Sequence, residues 1–437
     1  MYFVEPTKYI TPMLTERLLQ FIWQFQYFNK QNLYTNSGET LNIIHPGTFN
    51  TNQGPDFLNA KIKIAQTFWA GNLEIHIKAS DWLLHKHAGD ENYQSVILHV
   101  VWIQDTIIAD VNGNKLPTLV IEPLVSKIML ARYQQLMQAE DFVPCQSFLP
   151  ALSSIAWQNW LERLLVERLE KRAAIVFEKL YKTENYWEEV LWQMLARNFG
   201  TPINADAFES IALSIPVAVL SKQKSQIQQL EALLLGQSGL LNEEFTESYA
   251  LLLQREYRFL KHKYNLKEAL IKPVFLRMRP ANFPTIRLAQ LAMLIHLSEH
   301  FFSIILEAKS YTEIIQLLNV TANDFWHYHY NISVATIYKR KVLGEQMAHN
   351  ILINTITPLL FAYGLFNKNQ VYKDKAIEWL AQTKPEQNTI IKRWRLLGVI
   401  SDNALHTQGL LELKKHYCDL RKCLTCAAGN KILKQPD

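Results

Sequence analysis

The sequence predicts an α+β architecture, with an α/β domain over residues 1–125 followed by a large, mostly α-helical region over 126–437. Three observations carry this expectation. Short β-prone runs alternate with turn residues from 41 to 121, and helical periodicity takes over beyond about residue 125. No fixed-period repeat, low-complexity tract or Gly/Ser linker interrupts either part.

The elements follow in chain order. Thr11 can cap an opening helix, Pro12 suits its first position, and Leu14, Leu18, Phe21, Ile22 and Phe25 form its apolar stripe. Strands are expected at 41–45, 60–64, 73–78 and 96–102, and a hairpin over 106–111 and 119–121 turns near Asn112-Gly113-Asn114. A helix-like stretch at 80–93 interrupts them. Periodic apolar runs at 157–180, 243–264, 285–307, 335–365 and 404–418 read as helices, with Trp157, Trp160 and Trp192 at core spacing.

At 437 residues the chain exceeds one ordinary core, since domains average about 150 residues. With 49% hydrophobic and 19% charged residues, it falls outside the disordered and collagen-like classes. The net charge of +5 tolerates a polyanionic partner without demanding one. No basic, apolar and small-residue sequence of a secretory signal opens the chain. The most apolar stretch, 351–366, is broken by Asn354, Thr355, Thr357 and Pro358 and is too short to span a membrane. A cytoplasmic protein without membrane association is the expectation.

Titratable groups crowd into 71–90, which reads G-N-L-E-I-H-I-K-A-S-D-W-L-L-H-K-H-A-G-D. Alternate residues of a strand share a face, so Glu74, His76 and Lys78 lie on one side and Leu73, Ile75 and Ile77 on the other. Asp56 follows Pro55 at the entrance to the 60–64 strand, where a turn can aim its carboxylate at the neighbouring strand. His99 sits inside V-I-L-H-V-V and must find a partner, expected among the nearby acids, or cost roughly 1–3 kcal/mol. Paired carboxylates suit Mg²⁺ or Mn²⁺, which polarises a phosphoryl oxygen and acidifies bound water. A hydrogen-bonded structural network and a ligand site without catalysis are the competing readings. A zinc site from His85, His87, Asp90 and His99 is a further one, weakened because residues two apart on a helix face different directions.

P-D at the start of one strand, E-x-H-x-K on the next, then a helix and another strand resembles the core of the PD-(D/E)XK, restriction-endonuclease-like nuclease superfamily. The resemblance covers about residues 11–102. It implies that Asp56 and Glu74 hold a divalent metal, with His76 in the place of the superfamily's lysine and Lys78 on the same face but roughly 7 Å further along. The implied activity is metal-dependent phosphodiester hydrolysis of nucleic acid, with His76, Lys78 or His99 assisting. The alternative is a non-catalytic nucleic-acid-binding module or interaction scaffold on the same fold. G-P-D-F, E-I-H, S-D-W-L-L-H-K-H, L-H-V-V, R-M-R-P-A-N-F-P-T-I-R at 277–287 and Y-C-D-L-R-K-C-L-T-C-A-A-G at 417–429 also resemble an uncharacterised bacterial family, which implies no activity.

Two further groups stand out. Cys418, Cys423 and Cys426 follow C-x4-C-x2-C, a ligand spacing for zinc or an iron–sulfur cluster, with Cys145, His416 or His406 as the fourth ligand. Some members of the nuclease superfamily are similar in joining a distant cysteine to a C-terminal trio. Arg277, Arg279 and Arg287 surround two prolines and can grip nucleic-acid phosphates, or equally the acids of the first domain.

Overall fold

The computed structural model describes residues 14–87, 90–110, 113–151, 154–275 and 278–434. The architecture is α+β, a mixed sheet followed by a largely helical region. Two compact units result. One combines Met1–Trp157 with Lys414–Asp437, and the other is Gln158–Leu413.

In the first unit, helix α1 (Glu16–Gln24) starts at Thr15, whose hydroxyl accepts the Leu18 N–H at 3.2 Å. Thr11 and Pro12, the expected cap and first residue, lie outside the described residues. Leu18, Leu19, Phe21, Ile22 and Trp23 are buried, which is why this amphipathic stretch is helical and packs down on the sheet.

Seven strands make that sheet: β1 (Leu33–Tyr34), β2 (Thr40–His45), β3 (Thr48–Phe49), β4 (Phe57–Ile64), β5 (Thr67–Lys78), β6 (Val96–Ile103) and β7 (Thr118–Val120). Their order is β1-β2-β4-β5-β6-β7, with β3 on β4. Pairing is antiparallel out to β5 and parallel across β5, β6 and β7. β5 starts well before the expected residue 73, because Ala65 adopts a positive φ of 51° and closes a tight hairpin with β4. Ala-Gln carries none of the usual turn residues, so the sequence hides this hairpin.

Two expectations need correction. Residues 106–111 form no strand among the described residues. A single bridge, Ala109 to Lys115, flanks a turn in which Gly113 N–H donates to Asp110 at 3.0 Å, while Val111 and Asn112 lie outside the described residues. The stretch 80–93 is not one helix but a single turn, α2 (Asp81–Leu84), and a 3₁₀ turn, Glu91–Tyr93. At the centre of β5 both faces are covered, and Leu73, Glu74, Ile75 and His76 are all buried, as in parallel-paired strands.

The second unit packs its helices around one large apolar core that includes Trp192, Trp326 and Trp379. Trp160 and Trp192 are buried as expected, and the Trp192 indole donates to Ala212 and Ile215 carbonyls at 3.2 and 2.9 Å. The apolar run at 351–366 passes through a π turn, Leu352–Ile356, into the helix Thr357–Phe366. Pro358 has no N–H for the Asn354 carbonyl, and Arg172 Nη1 takes that carbonyl at 3.3 Å. Among the described residues no single helix is long and apolar enough to cross a membrane.

Candidate metal centre

Asp56 stands immediately before β4 and is clasped from three directions. Its N–H donates to Glu74 Oε2 at 3.0 Å, its Oδ2 accepts the Ile75 N–H at 3.2 Å, and its Oδ1 accepts Gln20 Nε2 of α1 at 2.8 Å. The clasp exists because β4 and β5 are adjacent, and it holds two carboxylates side by side. Burial pushes both pKa values up, and for Glu74 the repulsion from Asp56 adds to it. Such a pair ionises fully only when a cation joins it.

Parallel register places Glu74 opposite His99 and brings His76 against the same strand. His76 Nδ1 lies 2.8 Å from His99 Nε2, and His76 Nε2 lies 3.1 Å from His85 Nδ1. Glu74 Oε1 sits 3.7 Å from His76 Nε2 and 3.4 Å from His87 Nε2. His76, His85 and His87 have donor atoms all within 4.8 Å of one another. Ligand atoms around a tetrahedral zinc with bonds of about 2.1 Å stand about 3.4 Å apart, so these separations already approach a ligand shell. His87 Nε2 is buried without a hydrogen bond, and its ring stacks on Tyr93 at 3.8 Å. His85 is exposed and marks the side open to solvent.

The two histidines of H-K-H meet because the chain is not helical there. α2 ends at His85, and Lys86 takes a positive φ of 61°, which turns His87 back toward β5. The expectation that His85 and His87 point apart is thereby corrected. Lysine carries no turn signature, so only the H-K-H string itself hints at the arrangement.

Burial drives the His76 pKa down to about 2 and that of His99 to about 3, and neighbouring histidines push in the same direction. His87 is lowered too, first by burial and then by His85. All three are neutral near pH 7, the form that ligates metals. A proton on His76 Nδ1, given to His99 Nε2, would leave the His76 Nε2 lone pair facing the cluster. His99, rather than an acid, is thus the group within hydrogen-bond reach of His76 Nδ1. His99→Phe is expected to weaken zinc binding 10–100-fold while the fold persists, measured by competition with a chromophoric chelator. Unchanged affinity would show that the His76–His99 contact does not orient the ligand.

The remaining candidates lie elsewhere. Lys78 is exposed at the end of β5, where its N–H donates to Asp81 at 2.8 Å. Asp90 accepts the Asn92 N–H and caps the 3₁₀ turn. Arg279 is exposed, and Arg277 lies outside the described residues. Arg287 is buried, donating to Asn282 at 2.6 Å and Gln290 at 3.1 Å, and burial lowers its pKa to about 10.

No curated protein and no solved structure matches the chain. A family model described as a protein of unknown function, DUF2851, matches residues 16–389, which spans the histidine cluster and stops before the three C-terminal cysteines. By that match over most of its length, the chain belongs to the DUF2851 family.

Proposed function

We propose that this protein is a metal-dependent phosphodiester hydrolase acting on nucleic acid, with its ion held by His76, His85 and His87 beside Glu74. The observation that carries the reading is the convergence of three imidazoles beside buried Glu74 and its Asp56 neighbour. An imidazole-rich donor set shifts the expected ion from Mg²⁺ or Mn²⁺ to a first-row transition metal such as Zn²⁺. Such an ion polarises a phosphoryl oxygen and acidifies bound water. An ion held there by three imidazoles would supply Lewis-acid chemistry, and Glu74, 3.7 and 3.4 Å from His76 and His87 Nε2, is placed to hold or move a proton beside it. Asp56 orients Glu74 through its N–H, and His99 orients His76. Phosphodiester as the substrate class rests on the P-D and E-x-H resemblance.

The donor count favours a second reading. If Glu74 completes a four-ligand shell, the site is closed and the zinc structural. Cleavage of single-stranded DNA, duplex DNA and RNA by Zn²⁺-, Mn²⁺- and Mg²⁺-loaded protein separates the two. Hydrolysis that falls about 10²–10⁴-fold in Glu74→Gln, with metal retained, supports the enzyme. Binding of these polymers without turnover, or no reaction with any of them, contradicts it and favours the scaffold.

A further inference from the structure

We propose that Cys145, Cys418, Cys423 and Cys426 together ligate an iron–sulfur cluster that fastens the C-terminal segment to the first unit. Cys145 is distant in sequence from Cys418, Cys423 and Cys426, yet all four fall within that unit, and all are unbridged thiols. Cys145, Cys423 and Cys426 are buried.

The chain around them is pinned from several sides. Helix α3 (Lys127–Gln138) leads toward Cys145, and Arg421, between Cys418 and Cys423, donates to the carbonyls of Leu136 and Ala139 at 3.0 and 2.5 Å. A cation on those last carbonyls also suits the negative end of the helix. Arg421 itself has a positive φ of 50°, and Lys422 N–H closes the loop onto Tyr417 at 2.9 Å. Cys423 then opens a 3₁₀ turn, Cys423–Thr425, against which the last helix, Ala427–Lys434, is pressed. A Cβ on Gly429 would come within 2.2 Å of the Cys423 carbonyl oxygen, so glycine is required for that approach. The same helix packs on α3 and on the 3₁₀ turn Gln146–Ala151 that follows Cys145, and Asn430 accepts the Tyr27 hydroxyl at 2.7 Å.

The thiols also sense one another. Burial raises the pKa of Cys145 and Cys423 to about 12, with Cys426 the next cause for both. Cys418 is raised in turn by burial, Cys426, Cys145 and Cys423.

Spacing decides between metals. C-x4-C-x2-C joined to a distant cysteine is a ligand spacing that iron–sulfur proteins use. A cluster spreads its four thiolates over several irons.

The test is metal and sulfide analysis of full-length protein purified anaerobically from iron-replete cells, with its visible spectrum. Iron and acid-labile sulfide in stoichiometric amounts, with a broad absorption near about 400 nm that Cys423→Ser and Cys145→Ser lose and His76→Ala keeps, is the expected result. Zinc in place of iron, or neither metal, in the wild-type protein overturns the proposal whether or not the variants fold. Limited proteolysis supplies the second readout. The cysteine variants should be cut within 414–434 at least tenfold faster than the wild type, and equal rates would overturn the fastening role.

Discussion

His76→Ala is expected to weaken zinc binding at the histidine centre by at least about 10²-fold and to remove hydrolysis with it. His76 is the residue on which the others converge, contacting His99 through Nδ1 and His85 through Nε2, with Glu74 at 3.7 Å. It is also buried, so the substitution leaves a cavity and strands His99 Nε2, a loss of roughly 1–3 kcal/mol for the orphaned group alone. His85→Ala provides the contrast. His85 is exposed, so its removal should reduce metal affinity with little change in stability. Isothermal titration and urea denaturation of the metal-free variants measure the two effects separately. Equal zinc affinity in wild type and His76→Ala would remove His76 from the ligand set.

Glu231→Gln is expected to flatten the dependence of stability on pH. Glu231 lies in the second unit on the helix Ile227–Gln237, fully buried, and accepts the Tyr249 hydroxyl at 2.6 Å and the Trp326 indole at 3.1 Å. Burial raises its pKa from 4.5 to about 7 against those hydrogen bonds. The sign follows directly. Between pH 4.5 and about 7 the folded chain holds a proton that the unfolded chain has released, so stability falls as pH rises through this window and levels off above it. At about 1.4 kcal/mol per pKa unit, the group makes the protein about 3 kcal/mol less stable at pH 8 than at pH 4. Glutamine keeps an oxygen for Trp326 and carries no charge, so the variant should be about 2 kcal/mol more stable than wild type at pH 8 and close to it at pH 5. Urea midpoints at the two pH values test this, and parallel slopes for the two proteins would contradict it.

What the sequence discloses of the site follows from local rules. Alternation in L-E-I-H-I-K puts Glu74 and His76 on one face, and G-P-D before the next β-prone run brings Asp56 to that strand, where the backbone clasp forms. The need of His99 for a partner is legible as well, although the partner is His76. The rest depends on features without a sequence signature. Lys86 is an ordinary charged residue in a left-handed conformation, so the union of His85 and His87 follows from a backbone choice that the tertiary structure imposes. The Ala65 turn is hidden for the same reason. Burial of both faces of β5 depends on parallel pairing with β6, a long-range arrangement that periodicity cannot report.

The central claim is that His76, His85 and His87 form one metal centre, and anomalous-difference diffraction from zinc-loaded crystals tests it most directly. A peak about 2.0–2.1 Å from His76 Nε2, His85 Nδ1 and His87 Nε2, absent in His76→Ala, is the predicted result. Zinc found at the cysteines or the surface, with no density among these three imidazoles, would contradict it.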